Sequence, residues 1–125
     1  MWLSFLSSKQ KDSWYIDSGC SRHTTGDKNK FLSLNETKSR SVTFGNHAPG
    51  RIKGKGLVNL NNGKGKEKYV LFVDGLKHNL LSVSQMCDRG CKVIFTTKYC
   101  KLKSENTGKT VIEGIITYNN VYVLK

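Results

Sequence analysis

Asp17 is the residue whose setting in the sequence most suggests chemistry. It follows Trp14, Tyr15 and Ile16 and precedes Ser18, Gly19, Cys20 and Ser21. A short apolar run ending in Asp-Ser-Gly reads as a buried strand that delivers one carboxylate into a tight turn. Gly19 lets the backbone pass close beneath that carboxylate, and the Ser18 hydroxyl beside it can hold the group in plane by hydrogen bonding. Such a carboxylate can activate water against a peptide carbonyl only with a second one near enough to share a proton. One then acts as base on the water, and the other polarises the carbonyl. Asp12, Asp27, Asp74 and Asp88 all lack the apolar-Asp-Ser-Gly setting. The second carboxylate would therefore be Asp17 of another copy, met across a twofold axis. The triplet alone also fits an ordinary surface turn in which the Asp accepts local backbone N–H bonds, and on those three residues both readings stand.

Other reactive side chains are less suggestive. His23, six positions after Asp17, is expected to face solvent, and His47 to sit on the surface. A nucleophilic pair of Cys20 and His23 is not supported, because three residues of loop do not orient a base. Cys87 and Cys91 can share a helix face, but no histidine accompanies them at zinc-site spacing, so no metal site is expected. All four cysteines read as reduced thiols.

Several elements must position Asp17. Residues 1–12 carry no period and read as a loose lead-in to a single domain over 13–125. Ser13 to Ile16 is a strand and Asp17-Ser18-Gly19 its terminal turn; Cys20 to Asn35 is polar and irregular, with Phe31, Leu32 and Leu34 as anchors. Ser41–Phe44 and Arg51–Leu60 alternate around turn residues and predict a glycine-rich hairpin. Asn61 to Lys68 reads as an exposed turn, and Tyr69–Val73 as a strand buried on both faces. Asn79 is expected to cap a short helix over about residues 79–88, with Leu80, Val83 and Cys87 on one face and Arg89-Gly90 to stop it. Four short strands follow, around 92–95, 99–102, 110–116 and 120–124. Strands at this spacing predict a mainly β chain, a small barrel or sandwich.

The chain has 125 residues, enough for one modest core, and 21 basic against 9 acidic residues give a net charge of +12. The excess is even: ten bases and four acids in residues 1–62, eleven and five in residues 63–125. This is a positive field over the whole body rather than a basic arm. It attracts polyanions without specifying them, and a lysine-rich solvated surface accounts for it as well. Met1 to Leu6 is too short for a signal segment, and no stretch approaches a membrane span.

Four stretches in order, WYIDSGCSRHTTGD, SVTFGN, VLFVDGLKHNLLSVSQMCDRGCKVIF and NNVYVL, resemble the Pol polyprotein of copia-type LTR retrotransposons, between the gag zinc knuckle and the integrase. The likeness runs from residue 14 to 124. It implies an aspartic endopeptidase with a small closed β-barrel of retropepsin-like type, one short α-helix and extra C-terminal strands. Such a domain works as a homodimer, without cofactor, metal or membrane, on its own Gag-Pol polyprotein in cytoplasmic virus-like particles. Carried over by position, Asp17 is catalytic and Ser18 and Gly19 support its turn. The hairpin from Val42 to Leu57 looks like the flap that closes on substrate, with Phe44, Gly45, Asn46 and Gly50 near its tip. Asn79-Leu80-Leu81 looks like the start of the helix behind the turn.

The chain departs from that pattern in three places. Cys20 stands where alanine is usual, Asp74 precedes Gly75 with Leu76-Lys77-His78 intervening before Asn79, and the tail from Lys92 to Lys125 adds strands that would extend the barrel or cover the dimer surface. Neither the zinc knuckle nor the integrase zinc motif falls within the 125 residues, as expected of an excised domain or a fragmentary element. The alternative to the enzyme is a non-catalytic or decayed basic β-barrel module, with Asp17 structural and the surface contacting nucleic acid or protein non-specifically.

Overall fold

The computed structural model describes residues 12–43, 49–60, 65–117 and 121–124, with side chains for all of these but 38–43 and 49. Among the described residues ten strands and one short α-helix follow in order: β1 (Trp14–Asp17), β2 (Thr24–Thr25), β3 (Phe31–Thr43), β4 (Pro49–Asn59), β5 (Lys66–Asp74), β6 (Asn79–Ser82), α1 (Val83–Asp88), β7 (Cys91–Phe95), β8 (Tyr99–Ser104), β9 (Thr110–Ile116) and β10 (Tyr122–Leu124). A 3-10 turn, Lys28–Lys30, is capped by the Asp27 side chain.

All ten strands form one sheet in the order β3-β4-β5-β2-β6-β1-β10-β9-β8-β7. The chain is mainly β, as expected, but backbone hydrogen bonding among the described residues does not close the sheet: β3 and β7 end it. Side chains do what the ladder does not. Val58 and Leu60 from one half of the sheet share a core with Cys91, Cys100, Leu102 and Ile112 from the other, together with Trp14, Ile16, Leu81 and Met86. The sheet curls over a common interior without a continuous hydrogen-bonded wall among the described residues.

β1 is buried on both faces, which explains its unbroken apolar run. Trp14 and Ile16 enter the main core, while Tyr15 joins Leu80, Val121 and Val123 on the opposite face. Each such side chain contributes about 1.5–3 kcal/mol of burial. β1 runs parallel to β6, with Asp17 beside Ser82, and antiparallel to β10 on its other side. β2 lies antiparallel to β6 and parallel to β5. The strand carrying Asp17 therefore has a neighbour on each side and no free edge.

The tail was expected to extend the barrel or cover a dimer surface. It extends the sheet, with β7, β8 and β9 as an antiparallel ladder that β10 joins to β1. The helix differs from expectation. Residues 79–82 are strand β6, and the helix starts at Val83, capped by the Ser82 hydroxyl accepting from the Gln85 N–H at 3.0 Å. Asn79 is no cap: its side-chain oxygen accepts from Thr25 Oγ1 at 2.6 Å, and its amide donates to the Asp12 and Ser13 carbonyls. Pairing with β1 and β2 satisfies the backbone of residues 79–82 more fully than one more helical turn would.

The hairpin is longer than the alternating pattern suggested, because Phe31 to Leu34 belong to β3. β4 passes so close to β3 at Gly56 that a Cβ there would lie 2.0 Å from the Ser33 carbonyl oxygen. Glycine there serves close approach rather than pliability. The lead-in before Asp12, His47 and most of the turn between β4 and β5 lie outside the described residues.

Candidate functional site around Asp17

Asp17 is half-buried at the end of β1, and Ser18 and Gly19 are exposed. Its Oδ1 accepts the Gly19 N–H at 2.7 Å. That bond is the local turn contact of a structural aspartate, and it also fixes the rotation of the carboxylate. A Cβ at Gly19 would stand 3.2 Å from Oδ1, so glycine is the residue that lets this bond form without displacing the acid. Oδ2 accepts no protein hydrogen bond among the described residues. The arrangement is a carboxylate with one oxygen tethered and the other available, carried on a turn that a second molecule can reach.

The hydroxyl that reaches behind the turn belongs to Ser82 rather than Ser18. Ser82 Oγ donates to the Cys20 carbonyl at 2.7 Å while accepting the Gln85 N–H. The Cys20 thiol packs partly against the Tyr15 cluster, and burial, assisted by the neighbouring Asp17 charge, pushes it up to about 12. It stays protonated, which removes it as a nucleophile.

His23 does not face solvent. It is fully buried, and its Nδ1 accepts the Ser82 N–H at 2.8 Å. An accepting Nδ1 places the imidazole proton on Nε2. Nε2 stands 3.3 Å from Glu67 Oε2, within ion-contact range but outside hydrogen-bond alignment. Glu67 is itself only 2% exposed, and the half-exposed Arg89 donates to the same oxygen. Gln85 completes the set: its Oε1 accepts the His23 N–H at 2.8 Å, and its amide donates to the Tyr69 carbonyl at 3.2 Å. His23, Glu67, Ser82, Gln85 and Arg89 thus tie the loop after Asp17 to β5, β6 and α1.

Nothing in the sequence marked these residues. His23 sits in a polar loop, and Glu67 sits among lysines in what reads as an exposed turn. Burial shows the local cause: Glu67, Val70 and Val73 all turn inward at a spacing of three, which a strand permits only where it is irregular. Tyr69, with φ of 60°, is that irregularity.

The remaining aspartates are occupied elsewhere or exposed. Asp12 pairs with Lys30 and Asp74 with Lys53, Asp27 caps its 3-10 turn, and Asp88 is exposed at the end of α1. Of the predicted flap residues, Phe44, Gly45 and Asn46 lie outside the described residues; Gly50 is in β4, paired with Val42. A hollow of about 500 Å³ on the β3-β4-β5 side is lined by Lys28, Glu36, Thr37, Lys53, Phe72 and Asp74. None of Asp17, Ser18 or Gly19 borders it. Among the described residues no group of three or more His, Cys, Asp or Glu side chains could hold a metal ion, and no helix is long and apolar enough to cross a membrane.

Comparison with known proteins gives one result. The family model described as the Pol polyprotein, beta-barrel domain, matches residues 14–91. That span runs from the first residue of β1 to the first of β7 and contains Asp17 with every residue that braces its turn. No curated protein and no solved structure matches the chain.

Proposed function

The chain belongs to the family of Pol polyprotein beta-barrel domains, and from that premise we propose that it is the aspartic endopeptidase of a copia-type Gag-Pol polyprotein. Two copies would meet with their Asp17 turns on a twofold axis. One carboxylate takes the proton of a bound water, and the other, protonated, polarises the scissile carbonyl. The observation that carries this reading is the Asp17 turn itself. An accessible carboxylate with one tethered oxygen ends a strand buried on both faces, braced from behind by Ser82.

The fold sets terms for the dimer. β1 is flanked by β6 and β10, so the partner approaches through the turn, where Ser18, Gly19, Ser21 and Arg22 are exposed, and not by adding a strand beside Asp17. The β3–β4 hairpin would grip an extended peptide of the precursor by main-chain pairing, inside cytoplasmic particles assembled from that precursor. No cofactor takes part.

Mixing tests the shared site. Wild-type protein is combined in rising proportion with Asp17→Asn at constant total concentration. Random pairing leaves about one quarter of dimers with two aspartates at equal amounts. Cleavage should follow the square of the wild-type fraction. A linear decline would mean that each copy works alone, and would remove the dyad.

A further inference from the structure

Apart from Cys91, the ladder β7-β8-β9 lies beyond the segment that matches the family, and its outer face is chemically distinct. Cys91, Cys100, Leu102 and Ile112 turn into the core, so the alternate residues Lys92, Ile94, Tyr99, Lys101 and Lys103 face outward. Lys92 on β7 lies directly opposite Lys103 on β8. Like charges facing each other across two strands destabilise the pair. Neither lysine forms an ion pair among the described residues. Lys92 alone would suffice to protect the edge strand β7 from unwanted pairing; Lys103 sits on β8, which has neighbours on both sides and needs no protection. The juxtaposition stores a repulsion that an anion would relieve.

The face also carries an aromatic ring set for contact. Tyr99 stands opposite Ile115, which is 48% exposed, and the Lys101 ammonium lies 5.0 Å over the Tyr99 ring. An aromatic ring with a cation beside it, and two further cations about 13 Å along β8, where Lys103 faces Lys92, match a nucleotide chain, whose bases stack while its phosphates seek ammonium groups. An acidic peptide would satisfy the lysines but leave Tyr99 and Ile115 without purpose. The segment 92–125 holds six lysines against two glutamates, so its field has the sign such a partner needs.

We propose that the outer face of β7-β8-β9 is a binding site for single-stranded nucleic acid, with Lys92 and Lys103 on phosphates and Tyr99 stacking on a base. The site is separate from the Asp17 turn and independent of whether Asp17 is catalytic.

The test is fluorescence anisotropy of the full chain with a labelled oligouridylate of about 15 nucleotides, a length within the span of such sites, over a range of salt. Lys92→Gln/Lys103→Gln should flatten the log K against log salt slope by about 1.4, at about 0.7 per single-strand phosphate contact. The control, Lys55→Gln/Lys66→Gln, removes the same charge from exposed positions on β4 and β5 and should leave the slope within about 0.3 of wild type. Tyr99→Ala should weaken binding about tenfold at unchanged slope, while Tyr99→Phe, which keeps the ring and the packing, should bind as wild type. Equal flattening by both lysine pairs would mean diffuse attraction and overturn the site. So would unaltered binding by Tyr99→Ala, displacement of the RNA by polyglutamate as readily as by unlabelled RNA, or no binding at low salt.

Discussion

Removing Arg89 should expose how the Asp17 turn is held. Glu67 is a carboxylate only 2% exposed, and one of its oxygens takes both the Arg89 guanidinium and the approach of His23 Nε2 at 3.3 Å. Arg89→Ala leaves that charge buried with only a neutral imidazole beside it. Breaking a fully buried pair costs about 3–5 kcal/mol. Arg89 is 39% exposed, so water can enter where the guanidinium was, and about 2 kcal/mol is the expected loss. Glu67→Gln should cost less, about 1 kcal/mol, because it removes the buried charge and leaves a hydrated arginine at the surface. The double variant should be barely worse than Glu67→Gln alone, giving a coupling of about 1–2 kcal/mol. Urea unfolding followed by the fluorescence of Trp14, which is fully buried, measures all three. Additive losses, or an Arg89→Ala cost below about 0.5 kcal/mol, would show that the pair is a surface contact of the ordinary weak kind and that the brace behind Asp17 lies elsewhere.

Other outcomes follow from the same geometry. Gly19→Ala puts a methyl 3.2 Å from Asp17 Oδ1; it should shift the carboxylate by a few tenths of an ångström and reduce precursor cleavage at least tenfold with a loss of stability under about 1 kcal/mol, and full activity would mean that the Oδ1 tether does not position the acid. Gly114→Ala places a Cβ 2.5 Å from Ile16 Cδ1, beneath the strand that carries Asp17, and should destabilise by about 1–3 kcal/mol; an unchanged urea midpoint would refute the β9–β1 packing. The Cys20 thiol, raised to about 12 by burial first and the Asp17 charge second, should alkylate far more slowly at pH 8.5 than the exposed Cys87, and Asp17→Asn should speed it. The stability this shift represents is fully present below the ordinary thiol value of 9.0 and is lost as pH rises toward 12. Labelling of Cys20 at the rate of Cys87 would contradict the packing of the turn.

Much of the β architecture was legible because apolar runs bounded by turn residues carry their own limits. Residues 92–95, 99–102 and 110–116 fell close to β7, β8 and β9 for that reason. The stretch 79–82 misled because Asn-Leu-Leu-Ser followed by polar residues at helical spacing fits a capped helix equally well. The choice is made by β1 and β2, which offer partners on both sides, and single-sequence periodicity does not contain that information. The length of β3 was missed because Lys28 to Ser33 mixes polar and apolar residues, and its register breaks between Phe31 and Ser33 and again between Glu36 and Arg40.

At the site, Asp17 announced itself through its apolar run and glycine. The brace did not, since each member is a common polar residue whose role depends on burial. His23 and Gln85 are 62 residues apart and meet directly; only the fold shows that Ser82 lies between the histidine and the turn. The closed barrel was implied by the family resemblance; strand spacing left barrel and sandwich both open, because strand number does not decide whether the ends of a sheet join.

Cleavage of a precursor tests the central claim most directly. The domain is expressed with its flanking Gag and integrase segments, as wild type and as Asp17→Asn, and both are checked for folding by the Trp14 fluorescence. Discrete products from wild type alone, with an intact precursor in the variant, are the predicted result. Equal processing by both, or none by either folded protein, would contradict catalysis by Asp17.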